Sequence, residues 1–315
     1  VPPITVLVYH ASGDAGEYAA LIRAPRRRVA VRVARDAGEA AALIGDADVL
    51  YAWKFPAELY AKAARLRWLQ AMGAGVDWAL VPSLPAGVVV TRAPGVFGPW
   101  MAEYVIGWCC WLTQRMETYR RAQREHRWIG DVVPDRLHGK TLAVVGLGDV
   151  GRAIARAGRA FGMRVVGVSR SGRRVPGVER TYRASALTDA LRGADWAVLA
   201  VPLTADTRGL VDERALAALP PHAWLVNVAR GPVVDEAALL RALRAGRLGG
   251  AVLDVFASEP LPPASPLWDF DNVVVTPHVA GPSVPAEIAP IFADNLARFL
   301  AGRRLRHVVD ARRGY

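Results

Sequence analysis

The chain has 315 residues, 52% of them hydrophobic and 22% charged, a balance that excludes disordered and fibrous classes and gives enough length for two domains with separate cores. Its formal charge of +11 would suit nucleic acid if the basic groups were clustered. Lysine, however, occurs only at Lys54, Lys62 and Lys140, and the arginines scatter over expected helix surfaces without any nucleic-acid-binding module. That pattern is compositional bias, with the arginine runs at 26–28 and 303–306 as solvated faces, and no nucleic-acid partner is expected.

In chain order, short β-branched runs at 4–9, 29–33, 49–52, 68–71 and 88–90 alternate with alanine-rich helical patterns at 37–44 and 57–64. Alternation of this kind marks βαβ units and a parallel sheet. The breaker-rich APGVFGP at 93–99 then introduces a single long helical pattern over 100–126. A second series of strands follows at 142–145, 165–168, 197–201, 224–228, 251–255 and 273–275, with helices expected at 151–161, 212–218 and 236–244. After Pro285, the helical spacing of Ile288, Ile291, Phe292, Leu296 and Phe299 predicts an amphipathic helix that returns to the first domain. The expectation is an α/β protein of two doubly wound parallel-sheet domains: a discontinuous first domain, 1–98 plus 286–315, and a Rossmann domain, 99–285, inserted in it.

Adjacent Cys109 and Cys110 are unsuited to a mutual disulfide, and no zinc spacing occurs, so no metal is expected and a reducing, cytoplasmic setting fits best. The opening run shows no signal-peptide pattern, and the apolar stretch near 104–112 falls short of the roughly 20 residues a membrane helix needs. No membrane association is expected.

LAVVGLGDVG at 142–151 is a strand running into GxGxxG and then a helix with Val150, Ile154, Ala157 and Phe161 inward. Gly146 permits the tight turn, Gly148 lets backbone approach a pyrophosphate, and Gly151 lets the helix pack on the sheet. The helix start attracts the anion. At the end of the next strand, where an NAD site carries a carboxylate, the chain reads GVSRSGRR. A serine hydroxyl and a guanidinium at Ser169 and Arg170 suit a 2′-phosphate. NADP(H) is therefore preferred over NAD(H), which remains possible; Arg173 and Arg174 are weaker candidates.

Three ionisable residues follow later strands: Arg230 in VNVARGP, Glu259 in DVFASEP and His278 in TPHVAG. Ligands of open α/β sheets bind beyond the carboxyl ends of strands, so these residues converge there. A 2-oxo acid needs a cation for its carboxylate, met by Arg230, and a proton donor for its carbonyl oxygen, met by His278, with Glu259 orienting the imidazole. Taken singly, each residue also has an ordinary structural reading.

Together with LHGKT at 137–141, PLTADT at 202–207, NVARG at 227–231 and LDVF at 253–256, they resemble the D-2-hydroxyacid dehydrogenase family; within it, Ser169-Arg170, GAGVD at 73–77 and ARRGY at 311–315 look most like NADPH-dependent glyoxylate/hydroxypyruvate reductases. The resemblance implies hydride transfer between a nicotinamide and a small 2-oxo or 2-hydroxy acid in a cleft, and a homodimer formed largely through the cofactor domains. It implies cofactor contacts at Gly146, Gly148, Asp149, Val150, Ser169, Arg170, Val201, Pro202, Thr207, Ala229 and Asp254. In the first domain QAMGAGVD at 70–77 resembles the family loop whose amides hold the substrate carboxylate, which implies Ala74 and Gly75 as donors. Trp53 and Lys54 are either a pocket wall and cation favouring compact anions, or a core tryptophan and a solvated lysine. YAWKFP at 51–56 and GVFGPW at 95–100 depart from that reductase branch. The alternatives are a dinucleotide-sensing protein of the same fold, or a dehydrogenase for phosphoglycerate, phosphite or a branched 2-oxo acid.

Overall fold

The computed structural model describes residues 2–25 and 27–315; Val1 and Arg26, the latter the first arginine of a basic run, lie outside the described residues. The chain divides into two compact units, Val1–Val96 with Ser283–Tyr315, and Phe97–Pro282.

The β-branched run at the start forms β1 (Ile4–His10), followed by α1 (Ala15–Ala20), β2 (Val29–Ala34), α2 (Ala37–Leu43), β3 (Val49–Trp53), β4 (Trp68–Ala71) and β5 (Val89–Thr91). Asp36 caps α2 by accepting from the Glu39 amide at 2.8 Å, which satisfies one of the orphan donors at a helix start. The five strands are parallel in the order β2-β1-β3-β4-β5. The direction of winding therefore reverses between β1 and β3, the position where ligands of such sheets bind. The helix expected at 57–64 is instead a 3-10 helix, Ala57–Lys62. Its bonds from Leu59 to Pro56 and from Ala63 to Tyr60 close every three residues, and this tighter winding buries Leu59, Tyr60 and Ala63 together.

The second unit begins with α3 (Phe97–Thr113) and α4 (Met116–Arg124), two helices where the sequence predicts one. The Thr113 hydroxyl donates to the Cys109 carbonyl at 2.7 Å, and Arg115 is left-handed at φ 56°; both disrupt the helical ladder. There follow β6 (Thr141–Val145), α5 (Asp149–Ala160), β7 (Arg164–Ser169), β8 (Arg180–Arg183), α6 (Leu187–Leu191), β9 (Trp196–Leu199), α7 (Glu213–Ala218), β10 (Trp224–Asn227), α8 (Glu236–Arg244), β11 (Gly250–Leu253) and β12 (Val273–Val275). The sheet is parallel throughout, ordered β12-β11-β10-β9-β6-β7-β8. Its strands are buried on both faces: Ala143, Val145 and Leu199 pack to one side and Leu142, Val144 and Val198 to the other. The polar, half-exposed RTYR of β8 carries no such apolar run, which is why the edge strand is not anticipated from sequence.

The last helix, α9 (Pro285–Leu300), belongs to the first unit. Phe292 stacks on Tyr51, with ring centroids 4.1 Å apart, and on Trp68 at 5.3 Å. Within the same buried face, Asn295 donates to Gln70 Oε1 at 3.1 Å and accepts from the Arg306 amide at 2.8 Å, so the polar group fixes the register of helix on sheet. Among the described residues no helix is long and apolar enough to cross a membrane.

Candidate active site

The glycine loop after β6 is shaped by three different constraints. Gly146 has φ 102°, and a Cβ there would lie 2.5 Å from the Ala200 carbonyl oxygen. This close approach brings the loop after β6 against the one after β9, at the strands between which the winding of the sheet reverses. Gly151, in the first turn of α5, would place a Cβ 1.8 Å from the Gly146 oxygen. Gly148 is different: a Cβ there would meet nothing within 4 Å, and the residue is exposed. A close turn, an open approach and a tight helix start are the features a pyrophosphate needs, so the residues present fit a dinucleotide. Asp149 and Val150 open the helix itself.

Across the sheet edge, Val201 and Pro202 follow β9. The Thr207 hydroxyl donates to the Pro202 carbonyl at 2.6 Å and accepts from the Thr204 amide at 2.8 Å, which ties that loop into one turn. At the end of β7 the Ser169 Oγ accepts from the Gly172 amide at 3.1 Å. The resulting tight turn leaves Arg170 exposed beside it.

β10, β11 and β12 are neighbours and parallel, so the loops bearing Arg230, Glu259 and His278 leave from one edge. Asn227 sets the backbone of the first loop, donating to the Arg230 carbonyl at 3.1 Å and accepting from the Ala229 amide at 3.0 Å. Arg230 Nη1 donates to the Ala229 carbonyl at 2.8 Å. Gly231 allows this loop to press on the next one, since a Cβ there would sit 1.9 Å from the Phe256 carbonyl carbon. In that second loop Glu259 Oε1 accepts from the Phe256 amide at 3.2 Å, and Oε2 lies 2.9 Å from His278 Nδ1. Both side chains are 24% exposed, enough screening by protein to strengthen the contact and enough access for a ligand. An ionised carboxylate only accepts, so this contact places a proton on Nδ1.

Asp254, 1% exposed, turns its carboxylate toward the His278 loop, accepting from the amides of Val279 at 2.8 Å and Ala280 at 2.9 Å. Sequence reasoning gives this residue only as a cofactor contact implied by the family resemblance. It missed Asn227, whose only signal is one amide side chain ending an otherwise apolar strand.

In the first unit, Trp53 ends β3 and its ring lies over the loop after β4: a Cβ on Gly73 would be 2.4 Å from Trp53 Cζ3. Trp78 approaches it edge-on with centroids 6.4 Å apart. Lys54 is left-handed at φ 51°, with Nζ 5.8 Å from the Trp53 ring centroid. Ala74 and Gly75 are half-buried, and among the described residues their amides donate to no protein acceptor.

The profile of the family described as D-isomer specific 2-hydroxyacid dehydrogenase, NAD binding domain, matches residues 106–280. A glyoxylate/hydroxypyruvate reductase A of Serratia proteamaculans is 34% identical over 276 residues, covering 85% of this chain and 88% of that protein. Among solved structures, a D-isomer specific 2-hydroxyacid dehydrogenase family protein from Aeromonas salmonicida superposes with TM-score 0.91 at 38% identity, covering 99% of this chain and 100% of that one. An NADPH-dependent glyoxylate/hydroxypyruvate reductase from Sinorhizobium meliloti, in complex with NADP and sulfate, superposes with TM-score 0.87 at 33% identity, with coverage of 99% and 100%.

The glycine geometry separates binding from folding. Gly148→Ala is expected to melt like the parent yet bind dinucleotide about tenfold or more weakly, a loss of about 1.4 kcal/mol. Gly151→Ala should lose both stability and binding. Thermal melts alongside nucleotide titrations check this, and a Gly148→Ala protein that binds like the parent would remove Gly148 from the phosphate site.

Proposed function

The chain belongs to the D-isomer specific 2-hydroxyacid dehydrogenase family, and from that membership we propose that it reduces a small 2-oxo acid such as glyoxylate or hydroxypyruvate with NADPH. The observation that carries the reading is the 2.9 Å contact between Glu259 Oε2 and His278 Nδ1 on the strand edge that also bears Arg230. NADPH, when bound, supplies the hydride.

The protein's own groups do the rest. The Arg230 guanidinium binds the substrate carboxylate and polarises the carbonyl. His278 Nε2 gives a proton to the carbonyl oxygen as it gains negative charge, while Glu259 holds the ring through Nδ1. In the reverse direction the same nitrogen takes the hydroxyl proton. In the first unit, the amides of Ala74 and Gly75 are proposed donors to an acid's carboxylate, which their having no protein acceptor among the described residues supports. Trp53 and Lys54 act as a wall and a cation that favour compact anionic acids.

Gly146, Gly148, Asp149 and Val150 hold the pyrophosphate, with Val201, Pro202, Thr207, Ala229 and Asp254 completing the cofactor contacts. Ser169 and Arg170 take the 2′-phosphate. The bound NADP of the Sinorhizobium relative and the absence of a carboxylate from GVSRSGRR both favour NADP(H) over NAD(H). A reducing, cytoplasmic setting is supported by the free thiols of Cys109 and Cys110.

A homodimer formed through the second unit is supported by apolar exposure between residues 97 and 136. There Trp128 is 100% and Val133 83% exposed, and Trp100, Trp111 and Met116 add to the surface.

The first test is turnover of glyoxylate, hydroxypyruvate and a panel of larger 2-oxo acids with NADPH and NADH in parallel. Activity on the small acids is expected, and no turnover with any acid would favour a dinucleotide-sensing role. His278→Ala should lose about 10²- to 10⁴-fold in kcat while binding NADPH normally; parental turnover would reject it as the acid–base group. In the same assay, an unchanged KM in Lys54→Ala would remove that lysine from the site. Arg170→Ala should weaken NADPH far more than NADH, and equal weakening would mark a structural arginine. Light scattering should find a dimer that Trp128→Glu dissociates; a monomeric parent would defeat the dimer.

A further inference from the structure

His278 has a left-handed backbone, φ 57°, a conformation residues with side chains rarely adopt unless their surroundings impose it. The restraint is a partly buried chain of hydrogen bonds that starts on α3. The Tyr104 hydroxyl lies 2.6 Å from Thr276 Oγ1, and Thr276 Oγ1 donates to Asp254 Oδ1 at 2.6 Å. Asp254 then accepts the amides of Val279 and Ala280 through its two carboxylate oxygens, and the His278 amide through its backbone carbonyl at 2.8 Å.

The polarity of the chain follows from its carboxylate end. Both Asp254 oxygens face N–H donors, so the group is an acceptor, and the Thr276 hydroxyl must give it a proton. The lone pairs left on Thr276 Oγ1 then accept from Tyr104. Burial pushes the Tyr104 phenol well above its ordinary range, against the opposing effect of the Thr276 bond, so it keeps its proton and acts as the donor. α3 is thereby fastened to the loop after β12.

We propose that Tyr104 is a positioning residue for the reaction: through Thr276 and Asp254 it holds the His278 loop in the pose that sets Nδ1 against Glu259. The inference rests on the reading of His278 as the acid–base group. It adds that this group's alignment depends on a hydroxyl two side chains away.

Tyr104→Phe removes the hydroxyl and keeps the ring against Trp108, with which it packs edge-on at 6.4 Å. The variant is expected to lose about tenfold in kcat, the scale of one hydrogen bond that orients a reacting group, with KM for the 2-oxo acid and affinity for NADPH within about twofold of the parent. Thr276→Val should behave alike and Thr276→Ser should restore turnover. In a His278→Ala background, Tyr104→Phe should cost nothing more, because the group it positions is gone. Parental kcat in Tyr104→Phe, or the same tenfold loss in the His278→Ala background, would overturn the proposal.

Hydrogen exchange separates this proposal from the catalytic reading itself. The amides of residues 278–280 should exchange faster in Tyr104→Phe than in the parent, and unchanged exchange would refute the restraint whatever His278 does. Activity retained by His278→Ala would instead strike at the acid–base assignment.

Discussion

The chemistry proposed for this protein depends on one buried carboxylate. Asp254, immediately after β11, has almost no exposure and offers only acceptors to a loop that would otherwise leave amides unsatisfied. A buried ionised group is tolerated only when its lone pairs are filled, and here the filling donors are the backbone of the next loop and the Thr276 hydroxyl. The need to satisfy Asp254 and the need to aim His278 are therefore the same requirement. Glu259 completes the arrangement because its own backbone contact, from the Phe256 amide, orients the carboxylate before the imidazole meets it.

Close backbone approach is the second constraint. Gly146, Gly151 and Gly231 each sit where a single methyl group would collide with main chain, and two of the three belong to the dinucleotide loop while the third follows Arg230. Side-chain packing tolerates small adjustment by rotamer, but backbone against backbone does not. The glycines thus fix the separation between the loops of the second unit's strand edge, and a functional group carried on those loops inherits that precision.

The strong basic charge has a different character. Many arginines sit in exposed ion pairs, such as Arg164 with Glu179, Arg241 with Glu213, Arg124 with Glu117 and Arg298 with Asp294. Solvent screens pairs of this type and they add little to stability, so they do not hold the fold. The turn at Ser169 stands apart because the backbone there is bent by its own serine and presents Arg170 at the carboxyl end of a strand, where a cofactor phosphate is chemically useful.

Sequence by itself determined the class of fold, the GxGxxG loop and the family, because each is written in local pattern: alternating apolar runs, glycines at set offsets, and words such as VNVARG and TPH. It also singled out Arg230, Glu259 and His278 as residues whose chemistry suits a 2-oxo acid. The break at Arg115, the 3-10 turn at 57–62 and the edge strand β8 were not legible, since they arise from a threonine capping a carbonyl, from packing against a core, and from pairing along a sheet edge. Only the tertiary structure decided that Glu259 meets His278 Nδ1, that Asp254 faces the His278 loop, and that Tyr104 joins it from α3. Those contacts join residues between 19 and 172 positions apart, and no local periodicity encodes a distance that only the folded sheet brings to hydrogen-bond length.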